Sequence, residues 1–85
     1  MNRKQWHDLW LNERDEAIRS LDVEKFKVFY LKWKARGFYR LELPSDKVIE
    51  ISLRKSLYHL TRAKEEEKTE AKKWLTDRGY DTSIG

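Results

Sequence analysis

The stretch Asp22-Val23-Glu24-Lys25-Phe26-Lys27-Val28-Phe29-Tyr30-Leu31-Lys32-Trp33-Lys34-Ala35-Arg36-Gly37 decides how this chain is read. Asp22 carries the short side-chain oxygen that caps a helix start, and Gly37 can take the left-handed conformation that ends one. Between them, at about 100° per residue, Phe26, Phe29, Tyr30 and Trp33 fall on one face. Val28, Leu31 and Ala35 fall on the opposite face, with Lys25, Lys32 and Arg36 on one flank and Lys27 and Lys34 on the other. A helix apolar on two opposed faces is either sandwiched between neighbours or turns one face to a partner. The sandwiched arrangement is preferred here, which makes this second helix the expected centre of a small all-α bundle.

Working outward, the same logic places the neighbouring helices. Asn2 and Gln5 form a variant capping box, and the helix they start carries Trp6, Trp10, Ala17 and Leu21 on a core face and ends near Leu21. Phe38 to Leu43 alternates weakly, but a lone strand has no partner in this chain, so the segment is expected to be a loop. Pro44 stops any helix before it, and Ser45 caps a third helix from Asp46 to about Arg62. A fourth follows from about Lys64 to Arg78, with Glu65, Glu66 and Glu67 at its positive end and Gly79 as terminator. Thr61 to Lys64 hold neither Gly nor Pro, so the last two could be one bent helix, and the bundle has three to four helices. Arg36-Gly37-Phe38 and Arg78-Gly79-Tyr80 share a pattern that marks how a helix ends. Residues 1–80 form the expected single domain and residues 81–85 a C-terminal tail.

Composition narrows the function classes. The chain has 85 residues, enough for one core and not for two. Charged residues make up 40%, which would suggest disorder were it not for four Trp, four Tyr and three Phe, each able to bury a large apolar area. The absence of Cys excludes disulfides and thiolate metal sites and fits a reducing, cytoplasmic setting. No apolar run is long enough to span a membrane, and Met1-Asn2-Arg3-Lys4-Gln5-Trp6 leads into charged helical sequence instead of a signal peptide, so a soluble protein without membrane contact is expected. With two His, no Gly-rich phosphate loop and no His pair at metal-ligand spacing, the chain is read as a non-enzyme with no cofactor and no metal.

Two surfaces are candidates for binding. From Lys25 to Arg40 there are six basic residues, no acidic ones and six interleaved aromatics. Lys and Arg could neutralise phosphates there while aromatics stack on bases, or the aromatics could be core with the cations solvated beside them. Phe38 and Tyr39, outside the helix, are the aromatics expected to be exposed, with Arg40 beside them. On the third helix Ile49, Leu53, Leu57 and Leu60 face the core, next to the small residues Ser52, Ser56 and Ala63. Ile51 and Tyr58 lie on its reverse side, ringed by Lys47, Arg54, Lys55 and Arg62, and are expected to face solvent or a partner. A helix-turn-helix fits poorly, because Gly37 through Ser45 separate the helices where three or four residues are usual.

The segments Pro44-Ser45-Asp46-Lys47-Val48-Ile49-Glu50-Ile51-Ser52-Leu53-Arg54-Lys55, Ala71-Lys72-Lys73-Trp74-Leu75 and Arg78-Gly79-Tyr80 resemble parts of small proteins from phages and mobile elements of Gram-positive bacteria. The resemblance implies a factor that acts on DNA transactions or on host machinery, and it carries over no site residues. A protein-interaction module is the favoured reading, nucleic-acid binding the alternative, and self-association through a spare face of the second helix a third route.

Overall fold

A computed structural model describes residues 2–83. Its helices are α1 (Arg3–Ser20), α2 (Val23–Ala35), α3 (Asp46–His59) and α4 (Glu65–Asp77), and no strand is present among the described residues. The chain is therefore an all-α bundle, and its last two helices are separate.

The capping chemistry sets most boundaries. Asn2 and Gln5 exchange hydrogen bonds of 2.9 Å in a capping box at the start of α1. Asp22 accepts from the backbone N–H groups of Glu24 and Lys25, and Ser45 from that of Val48. Gly37 and Gly79 have φ of 87° and 76°, where a side chain would be strained. The N–H of Phe38 then donates to the Trp33 carbonyl and that of Tyr80 to the Leu75 carbonyl, both at 2.9 Å, so the two Arg-Gly-aromatic segments close their helices alike. The turn between α1 and α2 is tighter still, with Leu21 at φ 55°. Its side chain packs against the core, which holds a non-glycine residue in this uncommon conformation.

Helix α3 ends at His59, short of the expected Arg62, because Leu60 adopts an extended conformation there. Leu60 and Ala63 are both buried in the resulting turn, so packing ends this helix where no Gly or Pro does. At the start of α4 the Lys64 N–H donates to Glu67 Oε1 at 3.0 Å, and the same carboxylate receives Arg19 of α1.

Two apolar clusters form the core. Ile18, Ile49, Leu53, Leu57 and Ala71 belong to one, and Ala17, Phe29, Tyr30 and Trp33 to the other. Phe26 and Leu43 touch both and join them. Helix α3 packs against all three other helices and most extensively against α4, so it holds the central place expected of the second helix. Helix α2 is one-sided: Trp33 is 0% exposed, whereas Val28 is 69% and Leu31 53% exposed. The sandwich fails because α1 and α3 cover only the aromatic face of α2, and among the described residues no element covers the other.

Candidate interaction surfaces

The uncovered face of α2 is the first surface the fold creates. Val28, Leu31 and Ala35 stand at helical spacing along it, all exposed. On one flank Lys25 pairs with Glu16 at 3.6 Å and Lys32 with Glu13 at 2.9 Å, both carboxylates on α1. On the other, Lys27 pairs with Glu24 and Asp46, and Lys34 with Glu42 at 3.6 Å. The hydrogen bond to Asp46 raises the Lys27 ammonium above its ordinary pKa. Tyr30 Oη donates to the Leu41 carbonyl at 2.8 Å, so the connector from α2 to α3 runs along this second flank. Leu41 of this connector is 79% exposed, and Val48 in the first turn of α3 is 48% exposed. The result is an apolar surface between two rows of locally neutralised lysines. Much of the basic block is thus matched by acidic residues from other elements, a pairing invisible in the block itself.

The aromatics that follow α2 fold inward. Tyr39 is half-buried and stacks on Tyr30 with ring centroids 4.3 Å apart, and its hydroxyl accepts from Trp10 Nε1 at 3.1 Å. Burial raises its phenol above the ordinary pKa, opposed by the Trp10 bond and by Arg14. Phe38, 37% exposed, meets Trp33 edge-on at 4.7 Å and Trp10 at 5.8 Å. The expectation of exposure holds for Phe38, whose ring nonetheless touches Trp33 and Trp10, and is corrected for Tyr39, which the turn at Gly37 directs onto α1 and α2. Arg40 is exposed, as expected.

A cationic and aromatic surface lies on α1 instead. Arg3, Trp6, His7, Arg36, Gly37 and Phe38 line one open groove. The Arg36 guanidinium lies 4.3 Å from the Trp6 ring centre. A second groove is lined by Trp10, Arg14, Tyr39, Ser52 and Ser56 among others.

The face expected on the third helix is largely covered. Ile51 and Tyr58 are half-buried, and Tyr58 packs against the core. Arg54 stacks on Trp74 at 4.4 Å, and its partial burial lowers its pKa. Lys55 pairs with Asp81 at 3.3 Å, and Arg62 reaches Asp15 at 3.4 Å. His59 Nε2 donates to the Thr82 carbonyl at 2.6 Å. Residues 81–83 of the expected tail thus lie along α3 and cover part of the predicted surface; residues 84–85 fall outside the described residues. The predicted site residues do not gather into one patch, since Phe38 and Tyr39 pack on α1 and α2, Arg40 lies on the connector, and Ile51, Arg54, Lys55 and Tyr58 spread along α3 with Arg62 in the turn beyond it.

Among the described residues no three His, Asp or Glu side chains converge as metal ligands would, and no helix is long and apolar enough to cross a membrane. Comparison with known proteins gives no family. No protein-family model, curated protein or solved structure matches this chain. The candidate surfaces therefore rest on their own geometry.

Proposed function

We propose that this chain is a non-enzymatic helical interaction module that docks a protein partner on the outward face of α2. The observation that carries this reading is the exposure of Val28 and Leu31, 69% and 53%, in the middle of a helix whose other face holds the core. A helix needs one apolar face to fold into a bundle; the second is not required by the fold. The lysines beside the stripe already face Glu13, Glu16, Glu42 and Asp46, so the partner need not be charged, and burial of apolar area supplies the affinity. In the setting that the C-terminal resemblance implies, the partner is a host protein bound by a phage or mobile-element factor. The alternative, a nucleic-acid surface built from the whole basic block, is weakened by the pairing of Lys25, Lys27, Lys32 and Lys34.

The test compares proteins captured from source-cell extract by the wild type and by Leu31→Asp, both folded. The reading expects a partner that survives moderate salt on the wild type and is absent from Leu31→Asp. Identical captures would remove the stripe from consideration. A wild-type dimer that Leu31→Asp converts to monomer, seen by sedimentation equilibrium, would make a second copy the occupant and overturn the hetero-partner reading.

A further inference from the structure

Several cations of this molecule lack an acidic partner among the described residues, and three of them, all arginines, lie around the start and middle of α1. Arg3, Arg14 and Arg36 form no ion pair and donate no side-chain hydrogen bond among the described residues. Arg3, His7, Trp10 and Arg14 recur at spacings of four, three and four, which puts them on one face of α1. Arg36, the C-cap residue of α2, joins this face by stacking over Trp6, and Arg14 lies 5.4 Å from the Trp10 ring centre. The indole rings attract these guanidiniums without accepting their N–H groups, which stay open to an acceptor.

The two grooves that these residues line carry no carboxylate: Arg3, His7 and Arg36 supply the ionisable groups of the first, and Arg14 and Tyr39 those of the second. Three other surface grooves each contain acidic side chains, Asp15, Glu16 and Glu67 in one, Glu67 and Glu70 in the next, Glu65 in the third. Acidic residues are nearly as abundant as basic ones in this chain, 15 against 19, so their absence from both aromatic grooves is a local feature.

The geometry points to a binding track for single-stranded nucleic acid along α1, with phosphates on Arg3, Arg36 and Arg14 and a base against the exposed part of Phe38. Arg3 and Arg14 are eleven residues apart, about 16 Å along a helix, a length covered by a few extended nucleotides. Guanidiniums match phosphate oxygens in pairs, and an aromatic face accepts any base once it is unpaired. An unpaired strand is favoured over a duplex because Phe38 can reach only a base that is not stacked inside a helix. An acidic peptide would use the cations but leave the aromatic surface without a planar partner. The track is on α1 and the connector, away from Val28 and Leu31, so it stands or falls separately from the docking stripe of α2.

Fluorescence anisotropy with labelled ten-nucleotide oligothymidine and oligouridine, a duplex of equal length and a polyglutamate peptide decides the matter. The single strands are expected to bind at low salt, with a log–log salt slope near −2 for about three neutralised phosphates. Arg3→Glu and Arg36→Glu should each weaken binding about tenfold or more and flatten the slope, since each removes one phosphate contact. Phe38→Ala should weaken it about tenfold with the slope unchanged, because stacking releases no counterions. Lys72→Glu and Lys73→Glu on exposed α4 make the same charge change away from the track and should have little effect; circular dichroism confirms that all variants fold. Absence of binding to either single strand at low salt overturns the proposal. So does equal loss in the α4 variants, which would reduce binding to net charge, or binding of polyglutamate alone, which would assign the track to an acidic protein segment.

Discussion

Leu31 and Trp33 lie two residues apart on α2 and face opposite ways, which makes them a sharp pair for mutation. Trp33 is 0% exposed; it meets Phe38 at 4.7 Å and Trp6 at 6.1 Å, and its indole N–H donates to Glu13 at 3.3 Å. Replacing it with Ala empties the centre of the aromatic cluster, a change that costs about 3 to 5 kcal/mol in other cores. A domain of this length has a total stability of roughly 4 to 13 kcal/mol, so the loss is a large share of it. With an m-value of about 1 kcal/mol per molar urea, the midpoint falls by roughly 3 M or more. Leu31→Asp removes no buried contact and costs under about 1 kcal/mol, chiefly in helix propensity, while its carboxylate comes within reach of Lys27 and Lys34, one turn away on either side. Urea unfolding followed by far-UV circular dichroism gives both numbers. Equal midpoint shifts for the two variants would refute the assignment of a covered and an uncovered face to α2, and with it the basis for a docking stripe.

Further outcomes follow from other parts of the fold. Arg19, first by its hydrogen bonds, then the Lys64 N–H, and after these the Arg19 charge, hold the Glu67 carboxyl below its ordinary value of 4.5. Its contribution is complete above the unfolded-state value and is lost as the pH falls through the lower folded one; thermal melts between about pH 6 and pH 2 should therefore decline less steeply for Glu67→Gln than for the wild type, and identical slopes would discount this link. Gly37→Ala should destabilise by about 1 to 2 kcal/mol through its left-handed backbone alone, since the added methyl meets nothing, whereas an unchanged melting temperature would contradict the φ of 87°. Arg54→Ala should cost about 1 kcal/mol through loss of its stacking on Trp74, and Arg62→Ala, with an exposed side chain, should cost less; the opposite order in chemical denaturation would reverse these roles.

Local chemistry makes the helix boundaries legible in the sequence. Asn2, Asp22, Ser45, Gly37 and Gly79 act on backbone groups within a few residues, so their effect can be read from the neighbouring positions, and each lies where a helix starts or ends. The core faces of α2 and α3 are equally plain, because Phe29, Trp33, Leu53 and Leu57 repeat at helical spacing and are buried. The break at Leu60 is not, since it depends on burial against distant residues and carries no Gly or Pro signal.

The candidate surfaces are harder to read for the same reason. Lysine charges in the block from Lys25 to Arg40 are matched by Glu13, Glu16 and Asp46, which lie on other helices. The covering of Lys55 and His59 by Asp81 and Thr82 joins residues more than twenty positions apart. Val28, Leu31 and Ala35 stand out in the sequence as a second apolar face of α2, but whether a face is covered depends on the packing of the whole bundle. The spacing of Arg3, His7, Trp10 and Arg14 is also present in the sequence, and it gains meaning only with Arg36 and Phe38 against the same face.

The docking claim meets its most direct test in site-specific photo-cross-linking. A photoreactive phenylalanine analogue placed at position 31, on the exposed stripe of α2, should trap one discrete partner protein in source cells, while the same group at Thr69, exposed on α4, should not. No discrete product from position 31, or the same product from both positions, would contradict the claim that α2 turns a binding face outward.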